Sequence, residues 1–197
     1  MAVMLPENDV EPLLNADISI AAVNSPAQTV LSGPAVTIEA SRKELLKLSE
    51  KENKKIRHIK LNTSHAFHSN MMQPAVKPFL ELLSKINLQP PQIPFISNVT
   101  GGFITDEEAV NPTYWAEHIM RTVRFSDGIN TLLSEPGKIM LEIGPGMTLA
   151  SLARLHFSDK AHAVSISSMK QAQQKESDYA FWLKTLGQMW IEGVPIN

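Results

Sequence analysis

The densest cluster of reactive side chains is Ser64-His65-Ala66-Phe67-His68-Ser69. Two histidines three apart can ligate a metal. No third ligand stands at a helpful spacing and no His-Glu-x-x-His helix occurs, so no metal centre is expected. A histidine beside an active-site loop can instead serve as general base for a nucleophile elsewhere. The residues alone leave open a plainer arrangement, one packed and one solvated histidine. Gly144-Pro145-Gly146 follows an apolar strand but lacks the dinucleotide fingerprint and the Lys-Ser/Thr of a nucleotide loop. A tight strand-to-helix turn is the expectation there. Glu142 beside it is either a catalytic acid or, as is commoner at a strand end, a hydrogen-bond acceptor. Arg124, within Thr122-Val123-Arg124-Phe125, is a lone cation open to an anion. Trp182 and Trp190, eight apart on one helical face, are expected to anchor that helix to a surface.

Positioning these groups requires a scaffold, and the apolar spacing outlines one. Ala2 to Leu5 is a short apolar run. Glu7 to Leu14 carries Val10, Leu13 and Leu14 at helical spacing. Ile18 to Val23 and Thr29 to Leu31 are β-branched runs, and Asn24-Ser25-Pro26 between them predicts a hairpin turn. After Gly33-Pro34, Ile38, Leu45, Leu46 and Leu48 form the apolar side of a helix. Lys51, Lys54 and Lys55 at its end suit a helix C-terminus and a solvated face. Ile56 to Leu61 predicts a strand. The order β-α-β-β-α-β is the split βαβ, ferredoxin-like arrangement, a superfold that by itself assigns no function.

The remainder has a different rhythm. Met72, Val76, Phe79, Leu80, Leu83 and Ile86 follow helical spacing, with Pro78 expected to delay or kink that helix. Ile93 to Val99 predicts a strand. Asp106 to Ala109 and Pro112 to Met120 predict short helices, and Ser126 is a candidate cap for a helix bearing Ile129, Leu132 and Leu133. Lys138 to Ile143 predicts a strand, and Leu149, Leu152, Ala153 and His156 the helix after it. Ala163 to Ile166 predicts a last strand, Ser168 to Ser177 a polar linker, and Tyr179 to Gly193 an amphipathic helix. Strands alternating with helices indicate part of an α/β layer structure.

Bulk properties narrow the function. The 197 residues carry a formal charge of −2, against the basic excess of a general nucleic-acid binder. A hydrophobic content of 43% and a mean hydropathy of −0.09 are globular values. No apolar run is long enough to span a membrane, and the first residues lack the basic region of a signal peptide. Cysteine is absent, which removes disulfides and thiol nucleophiles. A cytoplasmic location, with no nucleic-acid or membrane partner, is the expectation.

Taken in order, several pieces resemble one family. They are Ala21-Ala22-Val23-Asn24-Ser25-Pro26 through Leu31-Ser32-Gly33, then His65-Ala66-Phe67-His68-Ser69, Ser97-Asn98-Val99-Thr100-Gly101, Tyr114-Trp115 with Val123-Arg124-Phe125-Ser126-Asp127-Gly128, and Leu141-Glu142-Ile143-Gly144-Pro145-Gly146. The ordered set is similar to the acyltransferase (malonyl-CoA:acyl carrier protein transacylase) domain of a modular type I polyketide synthase. The tail, with Leu186-Gly187-Gln188-Met189-Trp190 and Gly193-Val194, resembles the linker that follows that domain.

The resemblance implies an α/β (α+β) fold: a ferredoxin-like small subdomain over 1–62, the C-terminal part of an α/β-hydrolase-like large subdomain over 63–167, and a linker with an amphipathic helix over 168–197. It implies a ping-pong transfer of malonyl from malonyl-CoA to a serine, then to the phosphopantetheine thiol of an acyl carrier protein, with no cofactor bound directly. A ketosynthase and other synthase domains are the further implied partners. His68 matches the family's catalytic base; an ordinary imidazole, with pKa of about 6.5, takes up and releases a proton near neutrality. The family orients that ring with a main-chain carbonyl, expected here at or beside Arg124. His65, Ala66 and Phe67 match the malonyl-selective form of the motif, where Phe67 fills the space of a 2-methyl group. Asn24, Asn98, Arg124, Gly144, Pro145 and Gly146 match positions that shape or support the cleft. The family's Gly-His-Ser-x-Gly is absent from this sequence. The nucleophile, the upstream oxyanion-hole donors and the malonyl-pairing arginine are therefore expected outside it. Both ends read as cut, so the piece alone is expected to be inactive and poorly stable, since a missing half-lobe exposes apolar surface. The alternatives are a non-catalytic structural or docking piece, and a half that needs complementation.

Overall fold

A computed structural model describes residues 1–51, 53, 55–157 and 163–196. The chain forms two compact units, Met1–Gly128 and Ile129–Asn197.

The first unit opens with β1 (Ala2–Val3), α1 (Glu7–Val10) extended by a tight turn over Glu11–Leu13, β2 (Ser19–Ser25), β3 (Gln28–Ser32), α2 (Ala35–Lys51) and β4 (His58–Ile59). The strands lie in the order β2-β3-β1-β4, all neighbours antiparallel. Both helical connections therefore skip a strand, which is the ferredoxin-like topology. Burial alternates along β2 and β3, with Ala21, Val23, Thr29 and Leu31 inward. Val3, Leu5, Val10, Ile18, Leu31, Leu45 and Ile56 make the core, with Ile38 and Leu48 packed on it.

Details differ from the sequence expectations for identifiable reasons. The buried stripe of α2 is Ile38, Ser41, Leu45 and Leu48, whereas Leu46 is turned one step off it and is exposed. Asn24 and Ser25 belong to β2, and the hairpin turns at Pro26 and Ala27. β4 is cut to His58 and Ile59 because β1 offers only Ala2 and Val3 to pair with. Lys51 and Lys55 are exposed as expected; Lys54 lies outside the described residues.

The unit continues with α3 (Gln73–Leu83), α4 (Asp106–Ala109), α5 (Pro112–His118) and the start of α6 (Phe125–Leu132). Pro78 does not delay α3, which already starts at Gln73. It sits on the exposed side in the second turn, where its missing N–H costs one ladder bond and its ring meets solvent. Ile93 to Val99 is not a full strand. Ile96 bridges Phe103 around a tight turn, and Ile93 is 80% exposed with no further strand beside it among the described residues. Thr105 caps α4 with a reciprocal bond from Glu108. Ser126 does not precede α6 but lies inside its first turn and is buried.

The second unit holds β5 (Ile139–Pro145), α7 (Thr148–Arg154), β6 (Val164–Met169) and α8 (Asp178–Ile191). β5 and β6 pair in parallel, joined through α7. Thr185 is the buried residue of α8, its Oγ1 donating to Ser167 O at 2.8 Å. Trp190 is 70% exposed, so the tryptophans do not together anchor this helix within the described residues. No helix of the described residues is long and apolar enough to cross a membrane.

Candidate active site

His68 lies in the loop after β4 and has φ +55, a left-handed conformation uncommon outside glycine. Its neighbour Ser69 fixes the loop from below. The buried Ser69 Oγ donates to Ala66 O at 2.6 Å and accepts from Met71 N, capping the turn that leads into α3. The His68 main-chain N–H donates to Ile119 O at 3.0 Å. Its ring nitrogen Nδ1 stands 2.9 Å from Arg121 O. A carbonyl oxygen can only accept, so the neutral ring carries its proton on Nδ1 and presents a lone pair at Nε2. The orienting carbonyl is thus that of Arg121, not one at or beside Arg124. The chain turns sharply after α5, with Met120 N and Arg121 N both bonded to Glu117 O, and this aims the Arg121 carbonyl at the histidine.

Arg124 has other duties. Its N–H donates to Asn98 O at 2.7 Å, and Nη1 donates to both carboxylate oxygens of Glu7. The guanidinium is therefore engaged by a protein carboxylate. Thr122 Oγ1 donates to Ile20 O, and Val123 bridges Ala22, so residues 122–123 run along the free edge of β2. Asn24 sits near the end of that strand, half-buried.

Phe67 is 45% exposed and packs at an angle against His65, whose Nδ1 meets Ser64 Oγ at 3.1 Å. His65 and Ala66 line a cleft of ≈ 490 Å³ with Ser32, Lys60, Thr63 and Met71 among its walls. His118, at the end of α5, meets the His68 ring edge-on at 5.7 Å and Trp115 at 6.4 Å. Its Nε2 is buried without a partner among the described residues. Burial, and secondarily the nearby His68, pushes the His118 pKa below its ordinary value.

Gly144, Pro145 and Gly146 belong to the second unit. β5 runs through Pro145, and the turn begins at Gly146, two residues later than the spacing suggests. Gly146 has φ +99, which glycine alone adopts without strain. Glu142 accepts from Leu149 N at 3.2 Å and Ala150 N at 2.8 Å. It is the helix-capping acceptor of α7, not a free acid. Among the described residues no group of three or more His, Asp or Glu side chains is arranged to hold a metal.

The structure therefore gathers His65 to His68, and ties Asn98 and Arg124 to the same neighbourhood through residues 119–124. Ile119, Arg121, Thr122 and Glu7 carry no signal in the sequence. Two of them act through main-chain oxygens, which every residue type possesses.

The acyl transferase domain family matches residues 2–194. The chain belongs to that family. Its relatives include a component of the phenolphthiocerol/phthiocerol polyketide synthase of Mycobacterium tuberculosis, 32% identical over 197 residues, which covers 100% of this chain and 13% of the relative. The spectinabilin polyketide synthase system protein NorB of Streptomyces orinoci is 30% identical over 200 residues, covering 100% and 9%. Among solved structures, the acyl transferase domain of SpnD, in complex with 2-(pent-4-yn-1-yl)malonyl, superposes with a TM-score of 0.88 at 33% identity, covering 98% of this chain and 46% of that one. The acyltransferase domain from the second module of the salinomycin polyketide synthase gives 0.85 at 31% identity, covering 98% and 44%. This acyl transferase chain thus spans less than half of either solved domain, and a smaller share of the synthases.

Proposed function

We propose that this chain supplies the general base and part of the acyl-binding wall of a polyketide synthase acyl transferase that moves malonyl groups. Residues 1–62 form its small subdomain, 63–167 the C-terminal part of its large subdomain, and 168–197 the linker that follows. The observation that carries the reading is the His68 Nδ1–H bond to Arg121 O, which leaves Nε2 as the basic nitrogen.

In the first half-reaction Nε2 takes the proton from a serine hydroxyl as its oxygen attacks the thioester carbon of malonyl-CoA. The tetrahedral adduct collapses, the C–S bond breaks, and the coenzyme A sulfur leaves with the proton held on Nε2. In the second half, Nε2 takes the proton of the carrier protein's phosphopantetheine thiol. That sulfur attacks the seryl ester, and the serine oxygen departs with the proton. The serine is the family's Gly-His-Ser-x-Gly residue, which this sequence does not contain, so it comes from the rest of the synthase or from a complementing half. Acyl carrier protein is the acceptor, and a ketosynthase is among the neighbouring domains.

Malonyl selectivity is assigned to His65-Ala66-Phe67, in which the Phe67 ring occupies the room of a 2-methyl substituent. One such contact discriminates by about 10- to 200-fold. The test uses the acyl transferase completed by its serine-bearing portion. His68→Ala should remove most malonyl transfer, roughly 10²- to 10⁴-fold. Ordinary transfer by that variant, with the serine acylating at the wild-type rate, would sink the role of His68.

A further inference from the structure

We infer that Glu7 is a positioning residue for His68, acting through Arg124; its catalytic consequence rests on the base role proposed above. His68 holds a left-handed backbone that a side-chain-bearing residue keeps only where its surroundings impose it. Beside the local bonds of Ser69, the surroundings that reach His68 by hydrogen bonds from outside its loop are one segment, residues 119–124. Ile119 O takes the main-chain N–H and Arg121 O takes Nδ1–H. Beyond Arg121 the segment is pinned in three ways. Thr122 and Val123 bond to β2. The Arg124 N–H bonds to Asn98 O. Arg124 Nη1 bonds to Glu7 at 2.7 and 2.8 Å, across 117 residues.

This last contact is the segment's shortest ion pair, and both side chains are about two-thirds buried, at 33% and 29% exposure. Charge-assisted bonds are the strong ones, and burial spares them much of the screening that weakens surface pairs. Without the Glu7 carboxylate, the nearest remaining anion is Asp127 at 3.9 Å, on α6. The guanidinium then turns toward α6, and the segment carrying the Arg121 carbonyl follows it away from the imidazole.

The tautomer of His68 reports this bond directly. Nitrogen shifts read through the non-exchangeable ring protons of the 197-residue chain, near pH 8, should show the Nδ1–H form dominant. Glu7→Gln is expected to shift the tautomer ratio toward Nε2–H by about tenfold, the upper scale of one neutral hydrogen bond such as Nδ1–H to Arg121 O. Arg124→Gln should do the same, and the double variant no more than either alone, because both remove one contact. Glu39→Gln breaks the exposed pair with Arg42 and should leave the ratio unchanged. A wild-type ratio in Glu7→Gln overturns the inference, as does additive loss in the double variant. An equal rise in amide exchange throughout α2 would also overturn it, by making the pair a general support. In the completed enzyme Glu7→Gln should lower kcat with little change in KM. If His68→Ala leaves transfer intact, the base role falls while the tautomer result stands on its own.

Discussion

The loop around His68 and the turn after β5 each carry a conspicuous motif, yet they are held by opposite means. His68 is oriented by a carbonyl 53 residues away, and the segment bearing that carbonyl is tied to Glu7, still further off in sequence. The turn after β5 closes on itself, with Glu142 capping amides seven and eight residues along. A carboxylate at a strand end followed by a helix start is a local pattern with a local solution. The His68 ring, by contrast, is held from outside its own loop, at Arg121 O. The first region is thus expected to be sensitive at many distant positions, and the second to be tolerant.

The largest test of that contrast is chemical. His68→Ala should cost the completed transferase roughly 10²- to 10⁴-fold in transfer, whereas Glu142→Gln, which keeps one acceptor oxygen for the Leu149 and Ala150 amides and gives up the other, should loosen the start of α7 and leave transfer nearly intact. A large loss in Glu142→Gln would mean that the second region does chemistry, and the contrast would fail.

Two glycines sharpen it in stability. Gly101 has φ +72, and a Cβ there would clash with Asp127 Cβ. Gly101 sits in the turn that presents Asn98 O to Arg124, so relief of that clash must disturb the segment that holds the His68 ring. Gly101→Ala should destabilise by about 2–4 kcal/mol, combining backbone strain with overpacking. At Gly146 the nearest atom to an added Cβ is Gln171 Cγ at 3.8 Å. Gly146→Ala should therefore cost only the left-handed penalty, about 1–2 kcal/mol. Chemical denaturation of both variants checks the ranking, and equal losses would break it.

A smaller effect concerns specificity. Phe67→Ser opens the room assigned to a 2-methyl group, so the malonyl preference over methylmalonyl that we propose for the completed enzyme should fall by roughly tenfold, the worth of one apolar contact. Competition between the two thioesters measures it. An unchanged ratio would move selectivity away from the exposed ring of Phe67.

How much of this was legible in the sequence follows the same divide. The ferredoxin-like order was readable because each of its elements buries one face, and periods of 2 and 3.6 survive in the residue types. Leu46 was misread because helical spacing fixes a stripe only to within one position. The strand expected over 93–99 failed because an apolar run says nothing of whether a partner strand is present. Within the site, the histidine pair and Glu142 were visible as side chains. The Arg121 carbonyl was not, since a main-chain oxygen has no residue type, and the register of a segment after a short helix is set by tertiary contacts. Arg124 drew attention as a cation, but its partner Glu7 looked like any acid in a first helical turn.

The smallest expected effect separates His68 from the histidine beside it. His118 is half-buried, its Nε2 is unpartnered among the described residues, and its pKa lies below the ordinary value because burial disfavours the charged ring. An unfolded chain takes up that proton at about pH 6.5, before the folded chain does. The unfolded state thus binds more protons as the pH falls, and stability present above that pH is lost as the pH drops through the folded value. His118→Leu removes the titration and an unpartnered polar nitrogen together, so stability near pH 8 should change little and its decline toward pH 5 should flatten. Denaturation midpoints at several pH values read the difference. A decline as steep in His118→Leu as in the wild type would place the acid sensitivity elsewhere, and would leave His118 a packing residue against Trp115 and His68.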